Sequence, residues 1–493
     1  QDRPSTDLFA CLRIMARDEE DEKAAFIPNE DEAPCKDFPV AYFYLCPVVV
    51  SGALPSLIRG YDLGIVGAAL LPTKRHFDLS EVQVQLLVAM VMPIAAAGSL
   101  IAGSIADRFG RKLGLLLATV VIGVALITMG AAESFDTLLA GRCIAGIGLG
   151  MTFVIPSMYC AEISPRHVRG TITMLNPVFT MAGLPLGFLG GLLLKSWRAA
   201  FFSVAVLCGL AILLLMLIPD SPRWLMAQGR KAEATSVLHN TVSTSAEEPA
   251  REAIAAQRLA EIRKDMEMSK TQRVATWSEL FYSSENTENL KTGLVFAALC
   301  PLVGVEAVFL YIVYSLDIFG VSEKDANIVG IVMGLLHLLG NVFTTSVIDN
   351  PKFGRRGPLL AGALGIVTSV ILISLFGFSK GSIPKMMVII AFCMYATSYG
   401  LGYGSLSLTI VAEIFTGPFR SKGLALCGVL SRVCGFLVTI GYITLVETLE
   451  IGGVYLILTF ISLGGYAFCY MRIPELQGKT IGHRAEEESQ KTS

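Results

Sequence analysis

The chain has 493 residues, of which 53% are hydrophobic and only 16% are charged. Soluble domains carry about 25% charged residues, so this composition argues against a soluble enzyme. The formal net charge of -2 gives no indication of a nucleic-acid partner. The eleven cysteines include no CxxC pair, so we expect no zinc site, disulfide framework or metal cofactor.

Long apolar runs that lack Asp, Glu, Lys and Arg recur along the chain, for example at 171–194, 199–219 and 386–412. A helix needs about 20 such residues to cross a hydrocarbon core about 30 Å thick. The sequence therefore predicts an all-α protein embedded in the lipid bilayer. Twelve membrane-spanning helices are expected near 39–70, 81–105, 113–132, 136–160, 169–195, 198–219, 291–320, 324–348, 357–379, 384–414, 421–446 and 451–471.

The spans fall into two groups of six, which predicts an N-terminal bundle at 39–219 and a C-terminal bundle at 291–471. The acidic segment 1–38 is expected to be a mostly disordered tail, and 472–493 a second tail. The linker 220–290 is charged and rich in Ala, which favours short amphipathic helices, with disorder near 241–249 as the alternative. Basic residues in the short loops are more frequent on the linker side, so the linker and both termini are predicted to be cytoplasmic.

Two short motifs occur once in each group of spans. FGRK at 109–112 recurs as FGRR at 353–356, and AEI at 161–163 recurs at 412–414. Two parallel copies of a six-span unit are typical of transporters whose halves rock about a central site.

Six motifs, in this order and spacing, resemble the sugar porter family of the major facilitator superfamily. They are GYDLG at 60–64, DRFGRK at 107–112, GR at 141–142, AEISP at 161–165, PDSPRWL at 219–225 and PE with a later Gly at 474–478. The resemblance runs from about residue 45 to 480 and implies the major facilitator fold, a small-molecule substrate and no enzymatic activity. It also implies a monomer, for which the plasma membrane is the expected location.

In proton-coupled members of the family that the chain resembles, the Asp of the GYDxG motif carries the proton and pairs with the Arg of the GR motif. Those positions are Asp62 and Arg142. A carboxylate within a span costs roughly 2.5 to 3.5 kcal/mol, so it usually serves a function. We expect Asp62 to couple protons to transport, and a permanent structural ion pair in a uniporter is the alternative.

The repeated motifs bring charges of both signs to the linker-side ends of the spans. We predict a cytoplasmic gate in which these charges link the two halves, and a static charge cluster that only sets topology is the alternative. The predicted gate residues are Asp107, Arg111, Glu162, Arg169, Arg355, Glu413 and Arg420.

The sugar-binding positions of the family are largely replaced in this chain. Arg59 stands where span 1 carries an aromatic residue, Glu306 replaces an Asn of span 7, and Arg432 replaces the Trp of span 11. The span-10 Trp is Leu408. Three ionisable groups within spans are costly unless they meet each other or a charged ligand. These substitutions predict a charged substrate, an organic acid or a zwitterion, bound by Arg59, Glu306 and Arg432, with Tyr311 and Asn176 as secondary candidates.

Two other interpretations stay open at this point. If Glu306 pairs with one Arg, and Arg59 pairs with Asp62, the cavity is neutral and a sugar or polyol is the substrate. Alternatively, the chain is a transporter-like receptor that binds a solute without moving it. Of these interpretations, we expect a proton-coupled symporter that works by alternating access.

Overall fold

The computed structural model describes residues 41–165, 168–194, 196–242, 248–271, 277–282, 284–347, 354–379, 384–415 and 419–473. The predicted tail 1–38, the PE motif after the last span and all but the first two residues of the predicted tail 472–493 lie outside these ranges.

Spans 1 to 6 form the first half of the described structure. Their helices are, for span 1, Tyr42–Phe77; for span 2, Glu81–Ala89 and Val91–Phe109; for span 3, Arg111–Gly130; for span 4, Phe135–Ile163; for span 5, Arg169–Thr173 and Leu175–Leu193; and for span 6, Trp197–Leu217. In the described part of the linker, four helices follow: Pro222–Ala227, Lys231–Asn240, Glu248–Thr271 and Trp277–Tyr282.

Spans 7 to 12 form the second half. Their helices are, for span 7, Ser284–Leu302, Val305–Leu310 and Ile312–Ile318; for span 8, Glu323–Val347; for span 9, Arg356–Phe378; for span 10, Lys385–Leu401 and Tyr403–Ile414; and for spans 11 and 12, Arg420–Arg472. We call the end of the molecule at which the linker lies the linker face, and the other end the far face.

Within the described ranges, eleven helices are long and apolar enough to cross a membrane. The last of them has 53 residues, and at 1.5 Å per residue a straight helix of that length would be about 80 Å long, more than twice the hydrocarbon core. Glu450 interrupts it with a left-handed φ of 57°, so this helix comprises spans 11 and 12. The prediction of an all-α membrane protein with twelve spans is confirmed.

Small residues bring spans 1 and 5 into direct backbone contact. A Cβ atom at Gly60 would lie 1.8 Å from the carbonyl oxygen of Thr180, and one at Gly64 would lie 2.2 Å from that of Leu184. Close helix approach of this kind is how membrane helices gain packing energy without a hydrophobic driving force. The two glycines flank Asp62, so the same motif fixes the position of the buried carboxylate.

Span 7 is broken where the sequence predicts one continuous helix. Pro301 lies in its last helical turn before the break, and Gly304 has a φ of 96°. Carbonyl groups freed by such a break need other donors inside a membrane. The Tyr395 hydroxyl of span 10 donates to the carbonyl oxygen of Val303 at 2.9 Å. The break places Glu306 in the first turn of a new helix, where a carboxylate is favourable.

The two halves contact each other mainly through two pairs of spans. Spans 5 and 8 pack through glycines: a Cβ atom at Gly330 would lie 2.6 Å from the Phe188 ring, and one at Gly334 would lie 2.8 Å from Pro185. Near the far face, the amide of Gln85 in span 2 and the hydroxyl of Thr444 in span 11 are 2.8 Å apart.

Candidate functional site

Asp62 and Arg142 form a buried ion pair between spans 1 and 4. Nη1 of Arg142 donates to Oδ2 of Asp62 at 2.8 Å, and the two side chains are 1% and 3% exposed, respectively. The second carboxylate oxygen, Oδ1, is buried and accepts no hydrogen bond from the described part of the chain. The structure therefore brings together the two residues that the sequence singles out for proton coupling. The coupling itself stays a prediction.

Arg59, one turn before Asp62, contacts other groups. Its Nη2 donates to Oγ1 of Thr180 in span 5 at 2.7 Å, and its Cζ lies 4.9 Å from the ring centroid of Phe153 in span 4. In this structure the ion-pair partner of Asp62 is Arg142 rather than Arg59, which differs from the alternative in which Arg59 pairs with Asp62. Nη1 of Arg59 is buried without a hydrogen-bond partner among the described residues.

Glu306 and Arg432 lie opposite each other between spans 7 and 11. Nη1 of Arg432 is 4.0 Å from Oε1 of Glu306, the outer limit of an ion pair, and the side chains are 26% and 22% exposed. Gly435 allows this approach, since a Cβ atom there would lie 2.0 Å from Oε2 of Glu306. Nη1 of Arg432 also contacts Sδ of Met92 in span 2 at 3.9 Å.

Phe153 joins the three charged residues into one cluster. The Cζ atom of Arg432 lies 4.9 Å from its ring centroid, the same distance as that of Arg59. Arg59 comes from the first half of the chain and Arg432 from the second, so the cluster lies between the halves. The sequence predicts that Arg59, Glu306 and Arg432 share one site, and the structure places them together. The sequence gives no comparable signal for Phe153.

The secondary candidates are packed between helices rather than open to a ligand. The Tyr311 side chain is fully buried, donates its hydroxyl to the carbonyl oxygen of Thr439 at 3.1 Å and stacks on Tyr442. Asn176 is buried, and its Oδ1 accepts from the hydroxyl of Ser56 at 3.2 Å. Their expected role as ligand contacts does not fit these positions, because the protein itself uses their polar atoms.

The predicted gate residues pair within each half in this structure. Nε of Arg111 is 2.8 Å from Oε2 of Glu162, and Nη2 of Arg111 is 3.1 Å from Oδ1 of Asp107. In the second half, Nη2 of Arg355 is 2.9 Å from Oε1 of Glu413. These three pairs lie within their own halves, and the latch that the sequence predicts for the outward-facing state stays a prediction.

The two remaining gate residues begin spans on the linker face. Arg169 opens the short first helix of span 5, and Arg420 is exposed at the start of span 11. Burial and the neighbouring charge of Arg169 lower the pKa of Arg258, in the linker helix Glu248–Thr271, to about 10. Arg258 therefore keeps its charge at neutral pH and docks the linker helix by donating to the Thr241 hydroxyl.

No group of three or more His, Cys, Asp or Glu side chains that could bind a metal ion occurs in the residues that the structure describes. The polar atoms of the cluster around Phe153 are guanidinium donors and carboxylate acceptors, which suit hydroxyl groups or charged groups of a small solute.

The family description "Sugar (and other) transporter" matches residues 48–487. The chain belongs to the sugar transporter family. Among plant relatives from Arabidopsis thaliana, "Probable polyol transporter 4" is 28% identical over 89% of this chain and 84% of its own length. "D-xylose-proton symporter-like 1" is 29% identical over 88% of this chain and 89% of its own length. "Plastidic glucose transporter 4" is 26% identical over 95% and 84%.

Solved structures of sugar transporters share the fold. The inward open conformation of the xylose transporter XylE from E. coli aligns with a TM-score of 0.75 at 20% identity, covering 90% of this chain and 99% of XylE. XylE bound to 6-bromo-6-deoxy-D-glucose aligns with a TM-score of 0.70 at 21% identity and the same coverage. The protein is thus a multi-pass membrane transporter with the major facilitator fold.

Proposed function

We propose that this sugar transporter family member is a proton-coupled symporter of a neutral sugar or polyol that works by alternating access. The observation that carries the proposal is the Asp62–Arg142 pair, a buried ion pair at 2.8 Å within spans 1 and 4. Ionisable groups at such depth are expensive and typical of proton pathways. The relative named "D-xylose-proton symporter-like 1" supports the same proposal.

The proton step uses the two oxygens of Asp62 differently. Oδ2 accepts from Arg142, whereas Oδ1 is the oxygen that is left to take a proton. Protonation from water on one side of the membrane removes the carboxylate charge and weakens its attraction for the guanidinium. The halves then rearrange with substrate bound, and the proton leaves to the other side as the ion pair forms again.

The substrate site is the cluster of Arg59, Glu306 and Arg432 around Phe153. The guanidinium forks donate to sugar hydroxyls, and the Glu306 carboxylate accepts from them, so charge-assisted hydrogen bonds take the place of those expected from the span-7 Asn. Glu306 offsets the charge of Arg432. The expectation of an organic acid or zwitterion is not supported by the relatives, which are named as polyol, glucose and xylose transporters.

One observation favours an anionic solute as a second candidate. The cluster holds two guanidinium groups and one carboxylate, and Nη1 of Arg59 is buried without a hydrogen-bond partner in the described ranges. A solute with one carboxylate and several hydroxyls would balance this charge.

Cellular placement is part of the proposal. The excess of basic residues in loops on the linker face supports a cytoplasmic linker and cytoplasmic termini. We propose a monomer in the plasma membrane.

The test is uptake into proteoliposomes of purified protein, with and without an imposed pH gradient, for Asp62→Asn and the original chain. Asn keeps an oxygen for Arg142 but cannot exchange a proton, so it imitates the protonated carboxyl. We expect Asp62→Asn to lose gradient-driven accumulation of sugar or polyol while exchange of labelled solute across the membrane persists.

Asp136→Asn, at an exposed position near the far face, is the matched control and should accumulate solute normally. Equal accumulation by Asp62→Asn and Asp136→Asn would contradict proton coupling and leave a uniporter. Binding of a sugar without any flux in the original chain would instead indicate a receptor.

A further inference from the structure

Phe153 is a partly exposed aromatic residue that none of the motifs accounts for. The residue is 36% exposed, although it lies among charged residues between the two halves. Leu408, which replaces the aromatic residue that the resemblance implies for span 10, is 60% exposed. Phe153, which is partly exposed and lies beside Arg59 and Arg432, is therefore a ring that the cluster itself offers to a bound solute.

A ring of this kind is useful to a cyclic polyol in particular. One face of a pyranose presents several C–H groups in one plane, and these pack against the face of an aromatic ring by dispersion and weak C–H contacts. The linear alditol obtained by reducing the same sugar has no such preformed face. Phe153 could thus distinguish solutes that offer almost identical sets of hydroxyl groups.

Two guanidinium groups already lie over the ring, each with its Cζ atom 4.9 Å from the centroid, so a solute that stacks there competes with one of them. Arg59 is held by a 2.7 Å hydrogen bond to Thr180. Arg432 has a carboxylate oxygen at 4.0 Å and the thioether of Met92 at 3.9 Å, and a thioether is a weak acceptor. Arg432 is the more weakly held of the two.

We infer that Phe153 is a specificity-determining residue: the solute displaces Arg432 from the Phe153 ring, stacks its C–H face there, and receives Arg432 and Glu306 on its hydroxyls. This inference rests on the proposed function. Phe153 and Arg432 belong to different halves. When the solute takes the place of their direct contact, closure of the halves therefore depends on the bound solute.

The experiment compares each cyclic sugar with its own reduced, linear form, namely D-glucose with D-sorbitol and D-xylose with xylitol. KM and kcat for uptake are measured in proteoliposomes for the original chain, Phe153→Leu and Phe153→Tyr. Leu keeps most of the apolar volume but has no ring, whereas Tyr keeps the ring. Phe460→Leu, on a lipid-facing side chain that is 68% exposed in span 12, is the matched control.

We expect the original chain to prefer the cyclic member of each pair, and Phe153→Leu to lose about fivefold to tenfold of that preference, which corresponds to one aromatic contact. The loss should appear in KM of the cyclic sugar, with kcat and gradient dependence retained, and Phe153→Tyr should restore it. An unchanged preference in Phe153→Leu, equal to that of Phe460→Leu, would overturn the inference while leaving the proposed function intact. Absence of uptake of all four solutes by the original chain would overturn the proposed function.

Discussion

At the scale of single residues, the substrate site is a set of charges with incomplete partners. Oε2 of Glu306 is buried without a hydrogen-bond partner among the described residues, and its ion pair with Arg432 is long at 4.0 Å. A fully satisfied buried pair would have little to offer a solute, because its donors and acceptors would already be used. The looseness of this pair is what makes it suitable for binding and release.

Glu306→Gln separates a neutral solute from an anionic one. Hydrogen bonds to charged groups contribute about 1.5 to 3 kcal/mol, against about 0.5 to 1.5 kcal/mol for neutral ones, so Gln should raise KM for a neutral sugar about fivefold to tenfold. For an anion, removal of a like charge should lower KM instead. Uptake of D-glucose and of D-gluconate measures both directions, and Glu133→Gln, at an exposed position, is the control.

The sequence identifies the charged part of the site but not its aromatic part. Asp62, Arg142, Glu306 and Arg432 are conspicuous because charges within apolar runs need a reason. Phe153 is one of 26 Phe residues in a largely apolar chain, and nothing in a single sequence distinguishes a ring between two guanidinium groups from a lipid-facing ring. For Tyr311 the sequence predicts a ligand contact that the structure does not show. A hydroxyl group within a span fits a contact between helices as well as it fits a contact with a ligand.

At the scale of helices, glycines decide which spans can touch. Gly98 and Gly103 lie in the same helix of span 2 but meet different surroundings. A Cβ atom at Gly98 would lie 2.4 Å from the backbone oxygen of Ile147 in span 4, whereas one at Gly103 would meet nothing within 4 Å. Backbone cannot move aside as a flexible side chain can, so the two positions should respond oppositely to the same substitution.

Gly98→Ala should destabilise the protein by about 1 to 3 kcal/mol, the usual cost of overpacking. Gly103→Ala should be neutral or stabilise it by up to about 1 kcal/mol, because Ala is the better helix former. Thermal unfolding of the two detergent-purified variants, followed by intrinsic fluorescence, gives the comparison. A lower Tm for Gly103→Ala than for Gly98→Ala would show that the close approach of spans 2 and 4 does not matter for stability.

The number of spans could be predicted from the sequence, and their interruptions could not. Apolar runs of about 20 residues identify membrane helices because the bilayer has a fixed thickness. The same runs conceal the breaks at Gly304 and Gly402, since both lie in apolar surroundings. The helix of span 1 likewise continues to Phe77, seven residues beyond the predicted end. Lys74 and Arg75 lie in its last turn, where positive charges stabilise the C-terminus of a helix.

At the scale of the whole molecule, the contacts between the halves are unequal at the two faces. On the far face, Nη1 of Arg75 in span 1 is 2.8 Å from Oε2 of Glu323 in span 8. On the linker face, the ion pairs of Arg111 and Arg355 stay within their own halves. The far face therefore carries an ion pair between the halves, and a transport cycle that opens this face must break it.

Charge reversal at Glu323 tests whether Arg75 helps to close the far face. The two side chains are 62% and 31% exposed, and a pair of this kind contributes up to about 1 kcal/mol, so the shift should be modest. Ala69, buried in span 1 beside the same junction of the halves, is the reporter when replaced by Cys. We expect Glu323→Arg to raise the rate of maleimide alkylation at position 69 by about twofold to fivefold, measured by mass spectrometry with reagent on the far-face side.

The reversed pair, Arg75→Glu with Glu323→Arg, should return the alkylation rate towards its original value, because attraction is restored with the charges exchanged. Glu267→Arg is the control: it reverses one charge of an exposed pair with Arg263 inside a single linker helix. A twofold to fivefold change common to Glu323→Arg and Glu267→Arg would reflect altered net charge rather than an opened face. If only Glu323→Arg raises the alkylation rate and the reversed pair restores it, the Arg75–Glu323 contact is one that must break when the far face opens.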